Sequence, residues 1–179
     1  MTLRSTVLIA ACLMPIVPLD AHAEYVVDIG VSAGQTESRV NGGPTTDSGT
    51  DGSVYLGLGV RRQINDKSTI GVGFTLDTFD SATFLAIRAI DYRHQIRQRY
   101  YAHFFAGAAR LNLATPAYGW YLGAGIEIGE VADDWNIGID LRFGDKVARD
   151  NLLPTEASDR SPDNFHDVTA ISVYLSRRF

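Results

Sequence analysis

A strict alternation of residue types in the segments 120–128 and 135–143 constrains the fold of this chain more than any other feature. Every second residue of each segment is apolar, whereas most of the residues between them are glycine, asparagine or charged. Successive side chains of a β-strand point to opposite faces, so each segment would have one apolar face along its length. A turn at 131–134 joins the two segments. Together they predict a β-hairpin.

Six further segments repeat this pattern or a weaker form of it. In the fourth predicted strand Arg88 and Asp91 have opposite parity, which predicts either a bulge or an interfacial position for Asp91. In the fifth, many Ala and Gly residues leave the facing open, except that Arg110 and Asn112 share a side. The eight predicted strands are 24–32, 54–61, 70–77, 84–92, 100–113, 120–128, 135–143 and 166–179.

The connections between these strands differ in length in a regular way. Those after strands two, four and six are short, at 65–68, 94–98 and 130–134. Those after strands one and seven are long and polar, at 35–52 and 144–164. Short turns at one end and longer loops at the other are typical of outer-membrane barrels, with the turns on the periplasmic side. The sequence therefore predicts an all-β fold, a closed, up-and-down, antiparallel transmembrane β-barrel of about eight strands.

The direction of the apolar face decides whether such a barrel lies in water or in lipid. A soluble barrel or sandwich would bury that face and expose the other one. Here the other face is mostly glycine with single charged residues, which suits a narrow interior better than a solvated surface. We therefore expect the apolar face to contact lipid, with aromatic girdles near the strand ends. The girdle residues are Tyr25, Trp120, Trp135, Phe143 and Phe179.

The first 23 residues have the order of parts of a secretory signal peptide. Arg4 lies in a short n-region, an apolar stretch follows, and Ala21-His22-Ala23 forms a small-x-small site. We expect cleavage after Ala23, which leaves 24–179 as a single barrel domain. Cys12 also stands in a lipoprotein-like box, and its lipidation is the alternative. Because Cys12 is the only cysteine, the mature chain would form no disulfide and no thiolate metal site.

Composition removes several classes of function. The net charge is −5 and no run of Lys or Arg exists, so a nucleic-acid partner has no electrostatic support. After residue 23 no apolar run reaches 18 residues, which excludes a helical membrane protein. The loop 46–52 is not an EF-hand loop, because Leu58 stands where the bidentate Glu would be required. We therefore expect no metal and no cofactor.

The C-terminal segment alternates through Ile171, Val173 and Leu175 to a terminal Phe179. It resembles the closing strand of bacterial outer-membrane proteins, whose last aromatic residue is read by the barrel-assembly machinery. Arg177 departs from that pattern, because a tyrosine or another apolar residue is usual at its position.

With its signal peptide and eight strands, the whole mature chain resembles the outer-membrane-protein-A-type β-barrel superfamily. The resemblance implies a location in the outer membrane of a Gram-negative bacterium, in contact with lipid and lipopolysaccharide. Because the chain stops at Phe179, we expect no periplasmic peptidoglycan-binding domain. The resemblance rests on a pattern rather than on a diagnostic motif, so it carries fold and location over better than activity.

Charged residues assigned to the inner face are the candidate functional residues. One interpretation is a network of paired charges that plugs the lumen, because unpaired charges in a narrow interior cost several kcal/mol. The alternative is a charged gate or ion path, although the interior of eight strands is small enough for side chains to fill. We expect Asp28 and Arg61 at similar heights near the periplasmic end. The full set is Asp28, Arg61, Asp77, Arg88, Arg110, Glu127, Asp140 and Arg142.

Two eight-stranded outer-membrane barrels are lipid A enzymes, a deacylase and a palmitoyltransferase. The deacylase family places a histidine two residues before its serine, and neither His94 nor His103 stands in that motif. Asp80-Ser81 is similar to the acid–serine pair of the palmitoyltransferase, but no histidine precedes it in the mature chain. Nucleophilic catalysis needs a serine activated by a histidine, so we expect no enzymatic activity.

The loops are the remaining candidates for a functional surface. The apolar segment 152–154 either packs against the barrel rim or forms part of an exposed binding surface. We expect a non-enzymatic protein that supports envelope integrity or contacts external partners through the loops 35–52 and 144–164. A narrow porin-like channel is the alternative, and a lipid-modifying enzyme is a third hypothesis.

Overall fold

The computed structural model describes residues 23–40, 45–79, 82–112, 117–132, 134–151 and 163–179. The predicted signal peptide with Cys12, the Asp80-Ser81 pair and the segment 152–154 lie outside these residues, apart from Ala23. None of the described residues belongs to a helix long and apolar enough to cross a membrane. The strands are β1 (Ala23–Val40), β2 (Thr45–Asn65), β3 (Ser68–Thr78), β4 (Thr83–Arg97), β5 (Tyr100–Leu111), β6 (Gly119–Ala132), β7 (Trp135–Asn151) and β8 (Asp163–Arg178).

The eight strands form a closed barrel in which each strand pairs antiparallel with its neighbour in the chain. Closure is made by β1 and β8, which pair from Val26 with Arg178 to Val40 with Asn164. Two backbone hydrogen bonds between Tyr25 and Phe179 extend this seam by one residue, at 2.9 and 3.2 Å. The predicted closed, up-and-down barrel of eight strands is confirmed.

The two ends of the barrel have different connections. At one end, here the turn end, β2 and β3 are joined by residues 66–67 and β4 and β5 by residues 98–99. The β6–β7 turn and both ends of the described chain lie there too. The connections after β1, β3, β5 and β7 lie at the opposite end, here the loop end. The three predicted short turns are all at the turn end, as expected.

The predicted loops at 35–52 and 144–164 are too long, because strands occupy part of both ranges. β1 continues to Val40 and pairs with β2, for example Gln35 with Thr50, and also with β8, Gln35 with Thr169. β7 continues to Asn151 and pairs with β8. Glycine, serine and threonine made these stretches resemble loops, but backbone hydrogen bonds on neighbouring strands hold them extended.

These extensions form a sheet of four strands that rises above the rest of the barrel, here the projecting sheet. It consists of residues 33–40 of β1, 45–53 of β2, 144–151 of β7 and 163–170 of β8. The pairing of β2 with β3 starts only at Val54, and that of β7 with β6 ends at Asp145. The two outer strands of the projecting sheet are therefore edge strands there.

A bulge in β4 sets the facing of its charged residues. The register with β5 shifts between Arg88 and Ile90, so Ala89 is the extra residue. As a result Arg88 and Asp91 both point into the barrel, with 2% and 3% of their surface exposed. The predicted bulge is confirmed, and the alternative of an interfacial Asp91 is wrong. In β5 the odd-numbered residues, such as His103 and Phe105, point inward.

Large apolar side chains cover the outside of the barrel and glycines line parts of its inside. Phe105 and Tyr174 are buried in the interior, and each crosses a glycine on a neighbouring strand, Gly123 and Gly138 respectively. A Cβ atom on either glycine would overlap the aromatic ring. Glycine at these positions thus makes room for large rings in a narrow lumen. The apolar face points outward, as the sequence predicted.

Candidate functional site

The interior of the barrel is the site that the sequence singled out, and it holds a dense set of buried charges. Among the described residues five carboxylates lie there beside four guanidinium groups and one histidine, so opposite charges are nearly balanced. Each of these residues has at most 4% of its surface exposed. They are Asp28, Asp77, Asp91, Glu127, Asp140, Arg61, Arg88, Arg93, Arg142 and His103.

Arg88 lies at the centre of this network. Its guanidinium nitrogens are 3.7 Å from Asp28 Oδ2, 3.3 Å from Asp91 Oδ2 and 3.6 Å from Asp140 Oδ2. The same group donates a hydrogen bond to the hydroxyl of Tyr55. These partners come from β1, β2, β4 and β7, so a single side chain connects strands on opposite walls of the barrel. The guanidinium also lies 4.3 Å from the ring centre of Phe105.

A second ion pair lies on the loop-end side of Arg88. Arg142 donates two hydrogen bonds to the carboxylate of Asp77, with N–O distances of 2.6 and 2.8 Å. Ser32 and Ser53 donate to the same carboxylate, at 2.7 and 3.2 Å. A two-pronged arginine–carboxylate pair of this kind is stronger than a single bond and fixes the orientation of both side chains.

A third group of charges lies towards the turn end. Glu127 accepts hydrogen bonds from Arg93 and from the Asn136 side chain, the latter at 2.8 Å. Arg61 pairs with Asp91 at 3.3 Å. The sequence predicted that Arg61 and Asp28 lie at similar heights. In the structure Asp28 contacts Arg88 instead.

Three members of the interior network were not predicted from the sequence. Asp91 and Arg93 follow the bulge at Ala89, which reverses the parity on which the prediction rested. His103 lies in β5, whose facing the sequence left open. Its Nε2 atom is 2.6 Å from Asp140 Oδ1, and the hydroxyl of Tyr174 donates to that carboxylate at 3.1 Å. The opposite parity of Arg88 and Asp91 was the available signal. If the inward and outward positions are exchanged for all residues after Ala89, Asp91 and Arg93 fall on the inner face.

The structure places seven of the eight predicted charges in the interior and one outside. Arg110 has the parity of the outward-facing residues of β5, since its neighbours Ala109 and Leu111 are the buried ones. It donates to Asn112 at 3.2 Å and lies 5.8 Å from the ring centre of Tyr118. The assignment of Arg110 to the lumen was therefore wrong, although the predicted common side of Arg110 and Asn112 is correct.

An apolar cluster closes the interior beneath the loop end. It contains rings from β4, β5 and β6 and the side chains of Val147 and Ala148. Both enter the interior because the register of β7 shifts between Gly144 and Ala148, where Lys146 has a φ of 55°. The cluster residues are Phe79, Phe84, Ala86, Phe105, Ala109, Leu111, Tyr121, Val147, Ala148 and Val168. Charged layers towards the turn end and this apolar layer above them together fill the lumen.

Serine, histidine and carboxylate groups occur at separate places in the barrel. Ser38 is 2.9 Å from Nδ1 of His166 at the loop end, and Ser68 is 2.9 Å from Nδ1 of His94 at the turn end. The His103–Asp140 pair lies between them in the interior. Among the residues that the structure describes, no group of three or more His, Cys, Asp or Glu side chains is arranged to hold a metal ion.

The fold is that of small outer-membrane β-barrels. The attachment invasion locus protein Ail of Yersinia pestis is 14% identical over 88% of this chain and 99% of its own, with a TM-score of 0.51. The same protein in complex with the heparin analogue sucrose octasulfate is 12% identical over 88% and 99%, with a TM-score of 0.52.

The outer membrane protein OprG from Pseudomonas aeruginosa is 10% identical over 88% of this chain and 96% of its own, with a TM-score of 0.51. At such identities the likeness concerns the fold alone. No protein-family model matches the chain, and no curated protein matches it in sequence. The more specific outer-membrane-protein-A-type relation therefore stays a prediction.

The interior network makes a prediction about stability. Arg142→Met would leave the Asp77 carboxylate buried without its guanidinium partner, and we expect the free energy of unfolding to fall by about 3–5 kcal/mol. Arg110→Met removes the same charge from the outer face and should change it by at most about 0.5 kcal/mol. Urea unfolding of the refolded barrel in lipid vesicles measures both. Equal effects of the two substitutions would contradict the placement of these arginines.

Proposed function

We propose that the chain is a non-enzymatic outer-membrane protein with a closed interior that acts at the cell surface through its projecting sheet. One observation carries the proposal: the lumen is filled by paired charges and an apolar cluster, while four strands extend beyond the barrel at the loop end. A filled barrel has little room for transport, and a raised sheet with two edge strands offers main-chain groups to a partner.

The outer surface supports a location in lipid. Large apolar side chains on all sides of the barrel are 37% to 75% exposed, which a protein surface in water would not sustain over such an area. A closed ladder of backbone hydrogen bonds suits hydrocarbon, which provides no hydrogen-bond partners. Aromatic residues lie near both ends, with Trp120 and Tyr118 towards the loop end and Tyr25 and Phe179 at the turn end.

Residues 1–23 and Phe179 carry our proposals on export and assembly. We propose that residues 1–23 direct secretion and are removed, and that Phe179 is read by the barrel-assembly machinery. The ring of Phe179 is 66% exposed, so it is accessible for recognition. The guanidinium of Arg177 lies 5.0 Å from the ring centre of Phe179 and 5.5 Å from that of Trp135. Arginine here covers aromatic surface near the interface, which offsets its departure from the usual apolar residue. In the membrane the outer face would contact lipid and, on the outside, lipopolysaccharide.

Location and orientation are testable because the mature chain has no native cysteine. Thr50→Cys in the projecting sheet should react on intact cells with a membrane-impermeant maleimide, because the loop end faces outward in the proposal. Asp66→Cys in the β2–β3 turn should react only after the outer membrane is permeabilised. The reverse pattern would overturn the orientation, and reaction of both sites only after permeabilisation would overturn the exposure of the projecting sheet at the cell surface.

The interior argues against transport. The Arg88 and Arg142 ion pairs connect opposite walls, and the apolar cluster lies between them and the loop end. An ion crossing the lumen would have to separate these pairs and displace buried rings. The alternative function, a narrow channel for ions or small solutes, requires that the plug open.

Conductance in planar lipid bilayers distinguishes the two functions. For the refolded protein we expect no stable single-channel steps, because the paired charges and the apolar cluster fill the lumen. Stable steps would contradict the plug. If such steps were altered by Arg88→Gln in the lumen and not by Arg110→Gln on the outer face, the channel function would replace the proposed one.

The absence of enzymatic activity belongs to the proposal as well. The carboxylate–histidine pair, His103 and Asp140, is buried among tyrosine and arginine side chains. The two serine–histidine contacts lie at opposite ends of the barrel. A triad would need the three groups in one chain of hydrogen bonds beside bound substrate. We infer that these contacts are structural and that neither a cofactor nor nucleic acid takes part.

The mouth at the loop end indicates the chemistry of the surface partner. A cavity of about 230 Å³ lies there, with Phe79 and Leu111 on its floor and the carboxyl groups of Asp47 and Asp51 among its walls. Such a site fits a lysine or arginine side chain, whose stem is apolar and whose head is cationic. The segments 35–52 and 144–164 together carry eight acidic and four basic residues, so their net charge is negative.

Part of this acidic charge is neutralised within the projecting sheet. Arg39 contacts Glu37 at 2.8 Å and Asp167 at 3.3 Å. The hydrogen bond from Arg39 lowers the pKa of Glu37 and so favours its ionised form. Ail binds sucrose octasulfate, a polyanion. For this chain the charge favours the opposite, a partner that presents basic side chains.

A lysine-rich peptide tests this partner chemistry. The barrel in zwitterionic nanodiscs should bind it in a salt-sensitive way, and Asp47→Asn with Asp51→Asn should weaken binding about threefold or more. The control pair, Asp66→Asn with Asp134→Asn, removes the same charge at the turn end and should have no effect. Equal binding of a glutamate-rich peptide would contradict a basic partner. Surface plasmon resonance measures all of these.

A further inference from the structure

A second cavity, of about 170 Å³, lies at the turn end, on the opposite side of the barrel from the loop-end mouth. Its charged lining residues are Arg61, Lys67, Arg93, Arg178, Glu24 and Asp66. Four cations thus face two carboxylates, and the other lining side chains are neutral and mostly capable of hydrogen bonding. The cavity is comparable in size to an engineered one of about 150 Å³ that holds a benzene molecule.

Two of the arginines in this cavity are buried and incompletely paired. Arg61 and Arg93 have 4% and 3% of their surface exposed. Among the described residues Nε and Nη1 of Arg61 have no hydrogen-bond acceptor, and the same holds for Nε and Nη2 of Arg93. Nε of Arg93 is 3.8 Å from Asp91 Oδ1, too long for a hydrogen bond. Buried donors of a charged group without an acceptor are costly, so two such groups in one cavity point to an anion.

The carboxylates nearest to these arginines do not satisfy all of their donors, and Oδ1 of Asp91 itself accepts no hydrogen bond. Asp91 is shared among Arg61, Arg88 and Arg93. Glu127 accepts from Arg93 and Asn136 and lies 3.7 Å from Arg178. The interior therefore supplies acceptors to only part of each guanidinium group, and both arginines line the cavity.

We propose that this cavity binds the phosphate group of a small phosphate or of a phospholipid headgroup. The planar fork of arginine matches two oxygens of such a group, and two arginines line this one cavity. Lys67 and Arg178, at the rim, add positive charge that attracts an anion into the mouth. The exposed residues Gln63, Asn65 and Asp66 mark where the cavity meets solvent.

Calorimetric titration with inorganic phosphate at constant ionic strength tests the site on the full chain refolded in zwitterionic detergent. We expect saturable binding and a shift of the Nε–H signals of Arg61 and Arg93 in ¹⁵N-resolved spectra. Arg61→Lys, which keeps the charge and loses the fork, should weaken binding about tenfold. Lys67 lies in an exposed turn, so Lys67→Gln should keep the fold and weaken phosphate binding several-fold.

The control is Arg99→Gln, which removes an exposed cation of the turn end that does not line the cavity. Phosphate binding should be unchanged in this variant. Nanodiscs that contain phosphatidylglycerol separate the two sources of the phosphate group. If only this lipid shifts the Arg61 and Arg93 signals, the site takes a headgroup; if inorganic phosphate does so, it takes the free ion.

Two results would overturn the proposal. One is that neither phosphate nor phosphatidylglycerol moves the two Nε–H signals although the barrel is folded. The other is that Arg99→Gln weakens phosphate binding as much as Lys67→Gln, since the attraction would then come from the general charge of the turn end. Both results leave the proposed function at the loop end untouched.

Discussion

Closure of the barrel by β1 and β8 is the constraint on which the other features depend. Once the first and last strands pair, every strand of the wall has a neighbour on both sides, and the number of strands sets the width of the interior. Eight strands enclose a space that a few large side chains fill. Inward positions therefore hold glycine, as at Gly123 and Gly138, large rings for which the glycines make room, or charged side chains in ion pairs, as at Arg88. The outward positions are free of this limit and carry the large apolar residues.

The ion pairs inside the barrel add contacts that the backbone ladder cannot make. Hydrogen bonds of the ladder join neighbouring strands only, whereas Arg88 contacts carboxylates of β1, β4 and β7, and Arg142 joins β7 to Asp77 of β3. The net contribution of such buried pairs to the free energy of folding is small, because the cost of desolvating the charges offsets most of their attraction. A register slip of one residue, however, would turn the charged side chains of the shifted strand to the outer face, so the pairs favour the observed register strongly.

Sequence patterns predicted the parts of this structure that depend on parity within one strand. The segments 120–128 and 135–143 showed both faces because no shift of register interrupts their pairing. Asp91 and Arg93 were missed because Ala89 reverses the parity, and Arg110 was misplaced because the Ala- and Gly-rich β5 has no clear apolar face. The partners of Arg88 depend on the stagger of distant strands, which no local pattern records. The projecting sheet was taken for loops because its stability comes from neighbouring strands rather than from its own composition.

The apolar cluster beneath the loop end separates two mouths of opposite character. Above it, Asp47 and Asp51 border a cavity with an apolar floor, while below it Arg61 and Arg93 border a cationic one. The charged layers between them are nearly neutral and held by ion pairs, among them the two-pronged pair of Arg142 with Asp77. A ligand in one mouth therefore has no mobile charge through which to influence the other. A ligand at one end of the barrel should therefore not change the affinity at the other end, because the packing that closes the lumen also separates the two cavities.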